Sequence, residues 1–534
     1  MRQALAAEDT SVAGDFLAGR FAFNQGDLDQ AARGLGRALS TTPDDADLRR
    51  QVFMLLVASG DVDDALAMAE AWAADDPSSD SADAHLLLAL DAGGDERLDG
   101  LATLPDPSLP HLFAPLLLAW LDPDPAAAAA ELETTVGDRL GDLATVHQAA
   151  LLDRADAIDE ALAVLAAITA DPARTSDRAL VQQARLLARL GEADAAAALL
   201  RLGDGAGQRS DLVTRAAAEI ERGETPSSLL PTPEVAMADV LVGVAELLRA
   251  QRRPLQATVY ARFGLHLAAD YDPARLVLAG LLADQEGPAA ALAELERIPA
   301  DSPWRAMADL DRADALHESG RTDEAVATLE AQITARPADP GPAIALGDLL
   351  RREQRFDEAA IAYDTALTRA EDVGEDDWRL YYASGIALER SRRWPEAEVA
   401  LQRALALEPE QPYVLNYLGY SWVDQGLHLD DAKAMLYRAV ELRPDDGFIV
   451  DSLGWAYYRL GEFPQAVEYL ERAVQLEPSD PVINDHLGDA YWRVGREREA
   501  RFQWERALQF EPDDALIPPI ETKLEDGLAD EDAG

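Results

Sequence analysis

A 34-residue period governs the C-terminal half of the sequence. Three prolines, two sets of three alanines and two pairs of glycines recur at this step: Pro444, Pro478 and Pro512; Ala432, Ala466 and Ala500; Ala439, Ala473 and Ala507; Gly454 and Gly488; Gly461 and Gly495. One unit reads LGWAYYRLGEFPQAVEYLERAVQLEPSD and the next reads LGDAYWRVGREREARFQWERALQFEPDD. Because several residue types keep one spacing together, the period indicates a stacked structural repeat.

Each unit has the pattern of two short helices joined by a turn. Leu453 lies on the buried stripe of the first helix, and Gly454 beside it lets the paired helix approach closely. Gly461 suits the turn, since a helix C-terminus favours a residue that tolerates positive φ. Ala466 is small because two helix backbones cross there, and Pro478 ends the unit because it cannot continue a helix.

This combination resembles the tetratricopeptide repeat (TPR) pattern. The resemblance implies an all-α fold, a TPR α-solenoid in which antiparallel helix pairs stack into a right-handed superhelix. It further implies that the first helix of each pair lines a concave surface, and that the protein is a non-enzymatic scaffold for protein or peptide partners.

The repeat extends upstream with decreasing regularity. The alanine of the second helix recurs at steps of 34 or 38 residues through Ala397, Ala359, Ala325, Ala291 and Ala257, whereas about residues 80–155 and 200–240 are degenerate. The stretch TPSSLLPTPE breaks the pattern with proline. We predict an N-terminal extension (1–11), a degenerate TPR-like arm (12–224), a linker or hinge (225–239), a regular TPR arm (240–514), and a capping helix with an acidic tail (515–534).

Charge and composition narrow the classes of partner. The chain has 99 acidic and 47 basic residues, a net charge of −52, which disfavours nucleic acid and anionic membrane surfaces and favours basic partners. Only Lys433 and Lys523 are lysines. This scarcity of lysine is consistent either with a GC-rich genome or with adaptation to high salt, where the self-repulsion of such a charge is screened. No apolar stretch is long enough for a membrane span, so we expect no membrane insertion.

The sequence offers no convincing catalytic constellation. Cysteine is absent, so thiolate metal sites, disulfides and a cysteine nucleophile are excluded. The seven histidines show no metal-ligand spacing, and no P-loop or GxSxG motif occurs. We therefore expect no catalytic residues, no metal and no cofactor.

Aromatic residues concentrate in the last repeats and suggest a binding surface there. Six of nine tryptophans and ten of thirteen tyrosines follow residue 377. Aromatic and arginine side chains are the usual anchors of interfaces, and asparagine can bind a peptide backbone through its amide. Projected onto the first helices, the predicted partner-binding residues, here called the groove set, are Tyr382, Arg390, Tyr413, Asn416, Tyr420, Asp451, Trp455, Tyr458, Arg459, Asp489, Trp492 and Arg493.

Other residues complete this projection. Phe448 and Asp485 fall on the same side of their helices, and Asp348, Arg351 and Arg352 continue the line upstream. Four aromatic residues instead fall on buried positions and are predicted to belong to the core: Trp422, Tyr457, Tyr491 and Trp504.

Two segments carry a narrower resemblance. Residues 413–473, with LNYLGY and DSLGWAYYRLG, and residues 14–56 are similar to exported, often lipid-anchored proteobacterial TPR proteins, including the adaptor lipoprotein of a carboxyl-terminal processing protease. The resemblance implies a periplasmic protein that presents substrates to a protease; a structural organiser of an envelope or polymer assembly is the alternative. No lipobox cysteine or signal peptide is present, so the chain is expected to be cytoplasmic if its N-terminus is complete. Oligomeric state is left open.

Overall fold

The computed structural model describes residues 12–75, 81–136, 140–170, 175–202, 211–373 and 377–528. Within these ranges the chain forms thirty α-helices and no β-strand, which confirms the all-α fold class. The predicted N-terminal extension (1–11) and the last residues of the predicted acidic tail (529–534) lie outside the described residues.

The helices follow one another with short connections. The first nineteen are α1 (Val12–Asn24), α2 (Leu28–Thr41), α3 (Ala46–Ser59), α4 (Val62–Asp75), α5 (Ala82–Asp91), α6 (Gly94–Ala102), α7 (Leu109–Leu121), α8 (Pro125–Thr135), α9 (Asp142–Arg154), α10 (Ile158–Ala166), α11 (Asp177–Arg189), α12 (Ala193–Leu202), α13 (Asp211–Glu221), α14 (Pro233–Ala250), α15 (Pro254–Leu267), α16 (Asp272–Glu286), α17 (Pro288–Leu295), α18 (Arg305–Glu318) and α19 (Thr322–Ala335). The other eleven are α20 (Gly341–Arg352), α21 (Phe356–Val373), α22 (Trp378–Arg390), α23 (Trp394–Leu407), α24 (Pro412–Asp424), α25 (Leu429–Leu442), α26 (Gly447–Arg459), α27 (Phe463–Leu476), α28 (Pro481–Arg493), α29 (Glu497–Gln509) and α30 (Ile517–Asp526).

The pair α26–α27 shows how the repeat residues produce the packing. Leu453, Ala466 and Leu470 are completely buried between the two helices. A Cβ added at Gly454 would lie 2.7 Å from Leu470 Cγ, so only glycine permits this approach. Gly461 has φ +75°, as the turn requires. Neighbouring pairs are built in the same way, and the helices pack as predicted.

Two compact units divide the described chain, Met1–Ala345 (unit 1) and Leu346–Gly534 (unit 2). The division falls within α20, whereas the predicted arms meet at residues 225–239. Both sides of that segment belong to unit 1, and its second half is already the start of α14. Its first half is anchored: the Ser227 N–H donates to Glu219 Oε2 at 3.0 Å, and Leu230 is buried. The compact units therefore differ from the predicted arms, and a hinge at 225–239 stays a prediction.

Unit 1 departs from a simple stack because α14 and α15 return to pack against earlier helices. They contact α3, α5, α7 and α9, each the first helix of an N-terminal pair. Tyr260 of α15 is buried, donates its hydroxyl to Asp83 Oδ1 at 2.7 Å and packs edge-on against Phe113. Arg262 donates to the Ala58 carbonyl at 3.3 Å and to Glu294 at 3.0 Å. The inner side of the N-terminal pairs is thus occupied by helices of the same unit.

A buried polar network fixes α14 in this position. His147 of α9 is completely buried; it accepts a hydrogen bond from the Trp120 indole at 3.0 Å, and its Nε2 lies 3.3 Å from Asp239 Oδ2. Arg178 and Tyr271 both donate to Asp239. These partners hold the pKa of Asp239 well below its usual range although burial opposes ionisation. We assign the network a structural role because Trp120, Arg178 and Tyr271 each donate a hydrogen bond within it.

Candidate partner-binding groove

The groove set lies on the first helices of four successive pairs in unit 2, namely α22, α24, α26 and α28. These helices place one residue per turn on a common side, because side chains three or four positions apart share a helix face. The structure positions the twelve side chains in three different environments: an aromatic group on α22 and α24, a stacked group around Trp455, and a charged group at the end of α28.

The aromatic group begins on α22. The Tyr382 ring is half-buried and packs edge-on against Tyr417 at 5.8 Å between centroids. The Tyr417 hydroxyl donates to Glu389 at 3.0 Å, and burial beside this carboxylate raises the pKa of the tyrosine. Arg390 is exposed, with its guanidinium 5.1 Å from the Phe356 ring. Tyr382 thus contacts the next helix pair through Tyr417 of α24, whereas Arg390 contacts the preceding pair through Phe356 of α21.

Helix α24 presents Tyr413, Asn416 and Tyr420 one turn apart. Tyr413 is 41% exposed, and its hydroxyl accepts a hydrogen bond from Arg443. Tyr420 is half-buried, and burial together with nearby Asp451 raises its pKa to about 12. Between them, the Asn416 carboxamide oxygen is buried and accepts no hydrogen bond from the described residues. This face offers an amide acceptor between two aromatic rings.

A stack of three rings connects α26 to α28. Trp455 lies nearly parallel to Tyr458, with 4.7 Å between ring centroids, and to His486, with 4.0 Å. His486 Nδ1 bonds to Asp451 at 3.0 Å, and this carboxylate raises the histidine pKa although burial opposes it. Arg493 Nε donates to the Tyr458 hydroxyl at 3.3 Å. Trp455 remains half-buried, but Tyr458 and Asp451 are buried.

Charged groups converge at the end of α28. Lys523 of α30 lies with its Nζ 2.9 Å from both Asp485 oxygens and 2.8 Å from Asp489 Oδ2. Asp489 also accepts the Trp504 indole N–H at 2.9 Å. Burial and the neighbouring Asp485 raise the pKa of Asp489 to about 6 despite the lysine. Asp489 is therefore a partnered carboxylate beneath α30 rather than an open groove residue.

The remaining members of the set flank these groups. Arg459 lies 3.6 Å from Asp424. Trp492 is half-buried, and a Cβ at Gly527, just after α30, would lie 2.3 Å from its ring. Of the four aromatic residues predicted to be core, Trp422, Tyr491 and Trp504 are buried, whereas Tyr457 is half-buried and stacks on Tyr469.

Sequence reasoning missed His486 and Lys523 as members of this site. His486 was grouped with scattered histidines that fill surface or packing roles. Lys523 was treated only as part of a capping segment. The sequence does contain a signal for Lys523. It lies 34 residues after Asp489 and 68 after Trp455, so it occupies the same position of the 34-residue repeat as both.

The arrangement favours recognition over catalysis. Among the described residues no group of three or more histidine and acidic side chains could hold a metal ion. No described helix is long and apolar enough to cross a membrane. The surface instead offers aromatic rings, arginines and one free amide acceptor, which are groups that bind peptides.

The paired helices and this surface define a helical-repeat protein of the interaction class. Models of the tetratricopeptide repeat match residues 3–90, 276–340, 344–401, 382–447 and 454–495, which together cover more than half of the chain. The chain belongs to the tetratricopeptide repeat family.

Solved structures include several similar repeat proteins. YrrB, a TPR protein described as having an unusual peptide-binding site, is 21% identical over 36% of this chain and 97% of its own, with a TM-score of 0.29. MamA is 23% identical over 31% and 94%, with a TM-score of 0.28. The Cut9–Hcn1 structure is 15% identical over 98% and 97%, with a TM-score of 0.39. No curated protein sequence matches the chain.

Proposed function

We propose that the first helices α22, α24, α26 and α28 form a concave groove that binds a peptide segment of a protein partner. The family assigns the chain to protein–protein interaction scaffolds, whose repeats are generally non-enzymatic. The groove set supplies the anchors, with Tyr413, Tyr420 and Trp455 retaining accessible ring surface.

The observation that carries the proposal is the Asn416 amide oxygen. A buried acceptor without a donor costs about 1–3 kcal/mol, so the fold tolerates a penalty at this position. A peptide backbone N–H approaching between Tyr413 and Tyr420 would remove that penalty. The two rings would then pack on either side of the bound segment.

Affinity purification with matched variants tests the groove. We expect Asn416→Ala and Tyr420→Ala to lose the partner that the unsubstituted protein retains, with unchanged circular dichroism and, for Asn416→Ala, no fall in melting temperature. Tyr437→Ala is the control, because Tyr437 is 47% exposed on a second helix, α25, outside the groove set. Retention of the partner by both groove variants would contradict the proposal.

Presentation of the bound segment to a carboxyl-terminal processing protease is a finer version of this function. It is supported by the resemblance of residues 413–473 to the exported adaptor proteins, which also supports a periplasmic location. Purified protease with and without this chain provides the test. A cleavage rate that is unchanged by the chain would reject the protease version and leave the groove proposal intact.

A further inference from the structure

Helix α30 packs against the end of the last helix pair. It contacts α29, and its Lys523 reaches across to the two carboxylates of α28. Both aspartates are nearly inaccessible, with 8% exposure for Asp485 and 4% for Asp489. The position of Lys523, 34 residues after Asp489, places α30 where the first helix of another pair would lie.

The attachment of α30 is limited. Ile520 is the only residue within the helix that is completely buried, while Leu524 is half-buried. Pro518 and Pro519 preset the first turn, so the helix can persist without much support. Besides Ile520, the segment is held by Leu516, Leu524 and Leu528 at the edge of the core, by Lys523, and by a hydrogen bond from Arg501 to the Leu524 carbonyl.

The outer face of α30 is poorly matched to its surroundings. Glu521, Glu525 and Asp526 are all exposed on a helix that docks onto a chain of net charge −52. Each adds repulsion between α30 and the rest of the protein, whereas Lys523 and Arg501, which donates to the Leu524 carbonyl, supply the polar attraction. A helix with the same lysine but with neutral or basic residues at the other positions would bind this surface more strongly.

The surface of α28 beneath α30 contains two buried carboxylates that require a cationic partner. Asp485 and Asp489 lie one turn apart, and burial keeps both away from water. Even with Lys523 in place, the pKa of Asp489 is raised to about 6. If α30 left, the two carboxylates would lose the ammonium that compensates them, and the Trp492 ring beside Gly527 would be uncovered. An occupant therefore needs a cationic side chain next to a small apolar contact.

We propose that α30 is a replaceable occupant of this surface, and that the partner segment that displaces it is a basic helix with a lysine three residues after a buried apolar side chain. The proposal rests on the proposed groove function and specifies the chemistry of the partner. Displacement would uncover Asp489 and Trp492, the members of the groove set on α28 that α30 and Gly527 cover.

A basic peptide with the sequence of residues 515–528, carrying Glu521→Lys and Glu525→Lys, serves as the probe; its lysine at position 523 is the contact under test. Its affinity is measured by fluorescence anisotropy with the full-length protein and with the full-length variant Ile520→Ser/Lys523→Ala, whose own α30 is weakened. We expect about tenfold tighter binding to the variant, because the intramolecular helix no longer competes. Replacing Lys523 of the peptide with methionine should weaken binding about tenfold, the effect of losing a charge-assisted hydrogen bond.

Controls keep the result interpretable. Lys433→Ala removes the other lysine, whose partner is the half-exposed Glu462, and should bind the peptide as weakly as the unsubstituted protein. Asp485→Asn/Asp489→Asn in the weakened variant should abolish the preference for lysine over methionine.

Two results would overturn the inference. One is equal binding of the lysine and methionine peptides by a folded weakened variant, and the other is no binding at all. A dimer that forms by exchange of α30 would assign the surface to a second copy of the chain instead. The two proposals can be distinguished. If the peptide does not bind but partner binding still depends on Asn416 and Tyr420, the groove proposal is retained and only the replacement of α30 is rejected.

Discussion

At the residue scale, close approach depends on a few small side chains. A Cβ at Gly488 would lie 2.4 Å from the Trp504 indole nitrogen, and the equivalent Gly454 is similarly confined by Leu470. Gly36 of α2 differs, since a Cβ there would meet only Val52 Cγ1 at 3.9 Å. The same residue type thus has a packing role in one pair and none in another, and only the partner helix distinguishes them.

The His486–Asp451 pair makes the stability of unit 2 depend on pH. Its histidine pKa is raised from the ordinary 6.5 by Asp451, with smaller contributions from Asp485 and Asp489. The folded protein therefore holds the proton more tightly than the unfolded chain. This contribution is complete below pH 6.5 and is lost as the pH rises through the raised pKa.

We expect His486→Gln to cost about 2 kcal/mol at pH 6, the usual value of a hydrogen bond to a charged group, and less at pH 9. Urea unfolding followed by tryptophan fluorescence measures this, because six of nine tryptophans lie in unit 2. The difference between the two proteins is compared at each pH, so other titrating groups largely cancel. A difference that is constant, or that grows with pH, would contradict the assignment.

At the element scale, the sequence predicted the helix pairs but not their long-range arrangement. Gly454, Ala466 and Pro478 were recognisable because identical residue types recur in register. The docking of α15 on α5 depends on Tyr260 and Asp83, which are separated by 177 residues and belong to no periodic set. Such contacts leave no signal in a single sequence, because each side chain is individually compatible with a solvated helix face.

For the groove set, too, the sequence could not predict which side chains of neighbouring helix pairs contact each other. Projection placed Trp455 and Asp489 on one side of their helices, but it could not show that Lys523 covers Asp489 or that His486 stacks on Trp455. Side-chain partners across neighbouring pairs depend on rotamers and on the last helix, neither of which the 34-residue pattern encodes.

The packing of α15 against α5 predicts how much stability the Tyr260 hydroxyl contributes. Burial raises the pKa of Asp83, and the Tyr260 hydroxyl is its hydrogen-bond donor. Tyr260→Phe should destabilise unit 1 by about 1–3 kcal/mol, because it leaves a buried acceptor without this donor. Tyr437→Phe, which alters an exposed ring, should change stability by less than about 0.5 kcal/mol.

A double-mutant cycle with Asp83→Ala isolates the contact, since the hydroxyl should matter little once the carboxylate is gone. Calorimetry on the four proteins supplies the measurement. Equal costs of Tyr260→Phe with and without Asp83 would show that the hydroxyl does not stabilise the docked helix through this bond.

At the scale of the whole molecule, the acidic excess is the dominant property. Many arginines pair with glutamates three residues away on exposed helix faces, as Arg321 does with Glu324 and Arg355 with Glu358. Exposed pairs of this kind each contribute about 0–1 kcal/mol. They therefore compensate little of the repulsion that a net charge of −52 produces.

Salt should accordingly stabilise the protein. The screening length falls from about 30 Å at 0.01 M to about 10 Å at 0.1 M, so most of the repulsion disappears within this range. We expect the melting temperature at pH 7 to rise by about 5 °C, corresponding to about 2 kcal/mol for units of this size, and then to level off. The same titration near the isoelectric point of 4.3 is the control, because the net charge there is close to zero and the salt dependence should shrink. A melting temperature that does not rise between dilute and molar salt at pH 7 would remove adaptation to high salt as an explanation and leave genome composition as the cause of the scarcity of lysine.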